Sequence, residues 1–397
     1  MRLRHAVVVL LVIASMGLLF LGTRLHWLDA RATATTTPRP TTANEVDVGT
    51  MVSLEDLPKQ LNLSREVVEV QDERFTCANM SVLRFVDDEP FARGWNKEAW
   101  RAIWPANLNK MYTVKRRYLS RAKDKASLER KRVYGLAQLR RELEVHDKLK
   151  HWNIATSYGG CLSPASARDD DVAIVAEYVD AYQLRELMQQ RLPWCVWTKL
   201  ALDVGALIKY LDESDAGPAV HCDWKPEQFV VRKKDYRVVL VDVDSIQFYA
   251  RGAAYLDQHA CNGSAPNECS QFDGECFQEL GRSMPVPDAQ CDVARSRCRG
   301  FNTSSMVWVF ARGLLVDFLG ARVDMFDNER TGQASPDMVR GNAMYVRVLS
   351  DVVRNTTREE RQARWSVEAV LKELRLLYAQ GNGKQCMTKW QWHRRMA

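Results

Sequence analysis

Apolar positions along this chain change their spacing several times, and each change marks a different kind of segment. The first segment has no period. Ala6 to Gly22 is an uncharged apolar run, with Arg2 and Arg4 before it and Arg24 behind it. Its length is at the short end for crossing a bilayer, and Leu25, Trp27 and Leu28 extend the apolar character. This predicts a cytosolic tail over 1–5 and a signal-anchor helix over 6–24, oriented by the positive charges on its N-terminal side. A cleaved signal peptide is the other reading, with Ala30-Arg31-Ala32 as a cleavage-like site well past the run.

Large apolar groups then almost vanish. Ala30 to Thr42 is built from Ala, Thr, Arg and Pro, too little to bury a core, so 25–80 reads as a Thr/Pro stalk and an N-terminal extension that packs on the folded domain.

Regular periods begin near Ser81. Met111 to Lys115 alternates as a strand does, and Leu136, Leu139, Leu143 and Leu149 space a long helix over 120–150. Val172 to Ala176 is a short β-branched strand. Two helices come next, Leu184 to Gln190 and Trp197 to Leu211. Strands are expected at Val220 to Asp223, Phe229 to Val231 and Arg237 to Val241, and helices at Met306 to Leu319 and Ser366 to Tyr378. Strands crowd the first part and helices the second, which predicts an α+β fold in two lobes, 81–180 and 181–397. At 397 residues and 46% hydrophobic, the chain can bury a large core.

Charge adds little. A net +6 is small for this length, and no nucleic-acid partner is expected from it. Cysteine adds more once the apolar N-terminus points to an oxidising compartment. Ten cysteines allow five disulfides, and five of them crowd an insert at 261–298. Zinc is a poor alternative without a Cys-X2-Cys pair or matching histidines. Sequons at Asn62, Asn79, Asn262, Asn302 and Asn355 fit the same lumenal side.

Four polar signatures carry candidate chemistry. His221-Cys222-Asp223-Trp224-Lys225-Pro226-Glu227-Gln228 resembles the protein-kinase catalytic loop His-Arg-Asp-Leu-Lys-Pro-Glu-Asn at five of eight positions. Nineteen residues on, Val241-Asp242-Val243-Asp244 stands where kinases carry Asp-Phe-Gly. Upstream, Tyr112-Thr113-Val114-Lys115 is similar to the Val-Ala-Ile-Lys strand. Arg141-Glu142 to Asn153-Ile154 is similar to the kinase αC helix and the turn after it.

The resemblance implies a bilobal protein kinase-like fold and a role for each residue. Asp223 would be the base that orients the acceptor hydroxyl, and Lys225 would neutralise the moving phosphoryl group. Lys115 would hold the ATP phosphates, partnered by Glu142 or its neighbour Glu144. Asp242 would hold Mg²⁺ or Mn²⁺, with Gln228 and Asp244 as further ligands. Backbone groups of Glu177 and Val179 would bind adenine beside a small gatekeeper, Ala176. Ala92 to Trp100 keeps Gly94 alone of the three phosphate-loop glycines, so fewer backbone amides can approach phosphate.

Gln228 in place of Asn, Asp244 in place of Gly, and the absence of an Ala-Pro-Glu motif narrow the likeness. With the anchor and the cysteine-rich insert, the chain resembles secretory-pathway kinases. The extracellular tyrosine kinases of vertebrate lonesome kinase type come nearest, and protein O-mannose kinases are more distant. That implies ATP-dependent phosphorylation of Ser, Thr or Tyr on secreted or extracellular proteins. The alternatives are a lumenal pseudokinase or a kinase acting on a glycan. The implied location is the Golgi or ER membrane in single-pass type II orientation, or outside the cell after cleavage. Cys222, beside Asp223, is either bonded to Cys195 or free and buried.

Overall fold

The computed structural model describes residues 74–119, 123–162, 172–190, 192–255, 260–263, 291–315, 336–358 and 361–388. The chain divides into two compact units, Met1–Leu57 and Pro58–Ala397, and every described residue belongs to the second. The expected anchor and most of the stalk lie outside the described residues. Among the described residues no helix is long and apolar enough to cross a membrane.

A six-stranded antiparallel sheet forms the first half. Its strands are β1 (Arg84–Phe85), β2 (Ala92–Arg93), β3 (Lys97–Trp104), β4 (Asn107–Arg117), β5 (Ser157–Cys161) and β6 (Ala173–Glu177). They run in the order β1-β3-β4-β6-β5, with β2 paired to β3. The helix α1 (Lys125–Lys148) packs on this sheet. Its start is five residues later than its leucine spacing suggests, because Asp124 and Ser127 form a capping box there. The buried face of α1 carries Leu139, Val145 and one full carboxylate, Glu142.

The segment before the sheet is fixed to it. Phe75 bridges to Gly159 and Cys77 is bonded to Cys161. Gly159 has φ of +97°, and a Cβ there would strike the Phe75 carbonyl, so both backbone angle and contact require glycine.

Beyond the sheet the chain turns largely helical. The order is β7 (Ala181–Gln183), α2 (Leu184–Met188), α3 (Trp194–Glu213), β8 (Ala219–His221), β9 (Phe229–Arg232), β10 (Val238–Leu240) and β11 (Ile246–Phe248). Then come the short pair β12 (Cys291–Asp292) and β13 (Arg297–Cys298), α4 (Thr303–Phe310), α5 (Pro336–Thr356) and α6 (Val367–Gln380). A single large apolar cluster centres on α3, where Trp194, Trp197, Leu200 and Ile208 meet Phe229, Phe310 and Leu374. Asn302 caps α4 through its side-chain oxygen. The strand β3 and the helix α5 have no counterpart in the hydrophobic periodicity.

Two antiparallel pairs position the chemistry. β8 pairs with β11 so that His221 faces Ile246, and β9 pairs with β10 so that Phe229 faces Leu240. Residues 221–228 are thereby laid alongside residues 241–246. Val241 N–H donates to the Gln228 carbonyl at 3.0 Å across the gap.

All eight described cysteines are disulfide-bonded. Cys195, at the start of α3, bonds Cys386 beyond α6, 191 residues away, and Cys261 bonds Cys291. Both readings of Cys222 are therefore corrected: it is bonded, and not to Cys195. Joining the two buried ends of the helical core removes conformations from the unfolded chain. A Cys195→Ser/Cys386→Ser variant is expected to lose about 2–5 kcal/mol of unfolding free energy. Denaturant titration checks this, and a loss under about 1 kcal/mol would contradict it.

Candidate functional site

Lys115 shares a face of β4 with Thr113, and its ammonium points from the sheet toward α1. It hydrogen-bonds Glu142 Oε1 and the Val241 carbonyl. Glu142 is fully buried, whereas Glu144 is half exposed and 3.9 Å from Arg141. The partner of Lys115 is thus Glu142. Burial alone would push the Glu142 carboxyl up, yet the Lys115 and Lys97 ammoniums and His146 overcome it and hold it well below the usual range.

Asp223 comes two residues after the end of β8, and its carboxylate is held on one side only. Its Oδ2 accepts from Gln228 Nε2 and lies 2.7 Å from Lys225 Nζ. Its Oδ1 is buried and has no hydrogen-bond partner among the described residues. Ser245 Oγ accepts from the Asp223 backbone N–H at 3.3 Å. His221 is fully buried, and burial pushes its imidazole down against the pull of Asp242 and Asp223. Its Nε2 is 3.0 Å from the Asp242 carbonyl, which ties the loop to the aspartates.

Asp242 and Asp244 converge on a cation of the chain itself. Lys97, the first residue of β3, bonds Asp242 Oδ1, lies 3.0 Å from Asp244 Oδ2 and donates to Glu142 Oε2 at 2.8 Å. Its side chain is only 12% exposed. Burial opposes its charge, but Asp242, Glu142 and Asp244 together raise the ammonium well above its usual range.

Among the described residues no group of three His, Cys, Asp or Glu side chains is arranged to hold a metal ion. Two carboxylates already gathered round one ammonium nevertheless fit a hard, oxygen-preferring divalent cation, with Lys97 standing in for it. Gln228 turns its nitrogen to Asp223, so Oε1 is the atom it could offer to a cation.

Burial and then the Asp242 charge push the Asp244 carboxyl up to about 7, against the pull of Lys97. In the unfolded chain an aspartate ionises near 4. The folded state therefore favours protonated Asp244. That contribution is complete at low pH and is lost as pH rises through about 7. His151, lowered to about 4 by burial and Arg237, slopes the other way, so the comparison needs a variant. Without divalent metal, wild-type stability relative to Asp244→Asn is expected to fall by up to about 1.4 kcal/mol per pH unit between pH 5 and 7. Denaturant unfolding at pH 5, 6, 7 and 8 measures it; parallel curves would contradict the assignment.

The remaining expected residues border this cluster. Glu177 ends β6; its backbone N–H donates to Thr156 and its carbonyl accepts from Thr113 Oγ1 at 3.3 Å. Val179 packs with Val230, Val239, Ala155 and Val241, an apolar cluster running from the β6 end to β9 and β10. Ala176 is buried in β6. Gly94 N–H closes the β2–β3 hairpin onto the Lys97 carbonyl at 2.7 Å.

The sequence reading missed Lys97, Ser245 and Val230. No sequence signal marks Lys97; it is the β3–β4 register, which pairs Ala99 with Lys115, that sets Lys97 two residues along on the same face of the sheet.

No family model matches the chain. Over 176 residues it is 26% identical to the extracellular tyrosine-protein kinase PKDCC of Homo sapiens. That match takes in 44% of this chain and 31% of the relative. The likeness supports a kinase-like family. The mixed fold with its sheet-rich part and flanking helix agrees with it.

Proposed function

We propose that this protein moves the γ-phosphoryl group of ATP to a hydroxyl of a secreted or lumenal protein. The observation that carries the reading is one cluster: Lys115 paired with Glu142, and Asp223 tied through His221 to Asp242. Four separate segments supply these residues, in the order that phosphoryl transfer by kinases needs them.

In this reading each residue has a task. Asp223 Oδ1 is buried and unpartnered among the described residues, so a substrate hydroxyl that displaces the groups covering it donates to it while Gln228 and Lys225 hold Oδ2. As the hydroxyl oxygen bonds to the γ-phosphorus, its proton passes to Oδ1, the β–γ bridge bond breaks and ADP leaves. Lys225, 42% exposed, stays near the transferring charge. Lys115, fixed by Glu142, holds the α- and β-phosphates. Asp242, Asp244 and Gln228 Oε1 would hold Mg²⁺ or Mn²⁺, whose charge screens the phosphates. The Val179–Val230 surface suits the flat faces of adenine, with the backbone of Glu177 and Val179 at its edge.

Disulfides and a relative named as extracellular support a secretory route. The run at 6–24 would serve as the membrane anchor, with the folded unit in the ER or Golgi lumen and a secreted form after cleavage. Ser, Thr, Tyr or a sugar hydroxyl are chemically equivalent acceptors for Asp223.

A second reading is a nucleotide-binding module without transfer. It is favoured by Gln228, whose amide nitrogen is committed to Asp223. Either reading requires nucleotide binding. Thermal unfolding with ATP, ADP or adenosine, each with Mg²⁺, with Mn²⁺ or with chelator, tests that shared step. A rise in Tm of several degrees with ATP and metal is expected. No rise with any nucleotide would overturn both readings.

A further inference from the structure

The phosphate-covering hairpin of this chain has exchanged glycine for charge. Gly94 is the middle glycine of the loop pattern, and Lys97 stands three residues on, where that pattern has its third glycine. The Gly94 N–H is already used inside the hairpin, bound to the Lys97 carbonyl at 2.7 Å. The exposed Trp95 at the tip is held back toward α1 by Lys131, which donates to the Trp95 carbonyl. The one loop glycine therefore has no amide to spare for a phosphate.

Lys97 has something to offer. From the covering hairpin its ammonium reaches into the site and meets Glu142, Asp242 and Asp244 together. Three carboxylates are all that a lysine's three N–H bonds can serve. A divalent cation on Asp242 and Asp244 would be a like charge beside this ammonium, so Lys97 must then exchange two of its three partners. Glu142 Oε2 can stay as its anchor, at 2.8 Å. The anions that arrive with the cation are phosphate oxygens. A lysine placed on the covering strand, beside Lys115 on the same sheet face, is already aimed at them.

We propose that Lys97 is a second phosphate-binding lysine, which leaves Asp242 and Asp244 for the triphosphate of a bound nucleotide. The assignment rests on the nucleotide-dependent reading above. It makes Lys97 a specificity residue: Lys97 favours a triphosphate over adenosine and competes with free metal for the two aspartates.

Calorimetry and Mn²⁺ spin resonance on the whole protein test this without any activity assay. In Lys97→Met, adenosine affinity should match wild type, ATP affinity with Mg²⁺ should fall at least tenfold, and Mn²⁺ alone should bind at least tenfold tighter. Should Lys97→Met misfold under its surplus negative charge, Lys97→Met/Asp244→Asn is compared with Asp244→Asn, and the same tenfold loss for ATP is expected. Unchanged or tighter ATP binding would leave Lys97 a mere counter-ion and overturn the proposal while sparing the nucleotide reading. A wild-type protein that binds no ATP would overturn both.

Discussion

Replacing Asp223 with Asn is expected to lower the rate of phosphoryl transfer by about 10²–10⁴ while leaving ATP affinity within about threefold of wild type. The split arises from where the two carboxylate oxygens point. Oδ2 is a structural acceptor for Gln228 and Lys225, and an Asn side-chain oxygen can take over those bonds. Oδ1 is buried and unpartnered among the described residues, and an Asn nitrogen there cannot receive a proton. The variant therefore keeps its fold and its nucleotide contacts and loses the group that takes the proton. Single-turnover rates and nucleotide titrations on the same preparation separate the two. Equal losses in rate and binding would mean that Asp223 acts by holding the site together.

Glu142→Gln should produce the largest loss of stability of any single change at the site, about 3–5 kcal/mol. Its carboxylate has no exposure and bonds two ammoniums, one on each oxygen. Lys97 would keep Asp242 and Asp244, but the one Gln oxygen can accept from only one of the two ammoniums, and Lys115 would have no carboxylate, only neutral oxygens such as the Val241 carbonyl. A buried ammonium without its carboxylate is costly, and Lys115 would be displaced from its place. Denaturant unfolding should show the loss, and ATP affinity should fall with it. A variant within about 1 kcal/mol of wild type would show that the pair contributes little.

Much of this site was legible before any geometry. The catalytic-loop run, Lys115, Glu142 and Asp242 all fell within short motifs whose order is itself informative, and the folded chain gathers them. The long apolar helix around 197–211 and the strands at 229–231 and 237–241 came from spacing alone. Elsewhere the deciding contact was distant in sequence. Cys195 meets Cys386 only because α3 and α6 pack side by side, and no spacing rule reaches across 191 residues. Lys97 reads as an ordinary surface lysine until the β3–β4 register sets it beside Lys115. Helix α1 begins at a capping box that its leucine period cannot reveal.

Transfer of label from γ-³²P ATP, with Mg²⁺ or Mn²⁺, to secreted-protein extracts is the most direct measurement of the central claim. Wild-type protein should incorporate label, Asp223→Asn should fall to near background, and Asp242→Ala should do the same. Equal incorporation by all three, or none by a wild-type protein that binds ATP, would contradict phosphoryl transfer at this site.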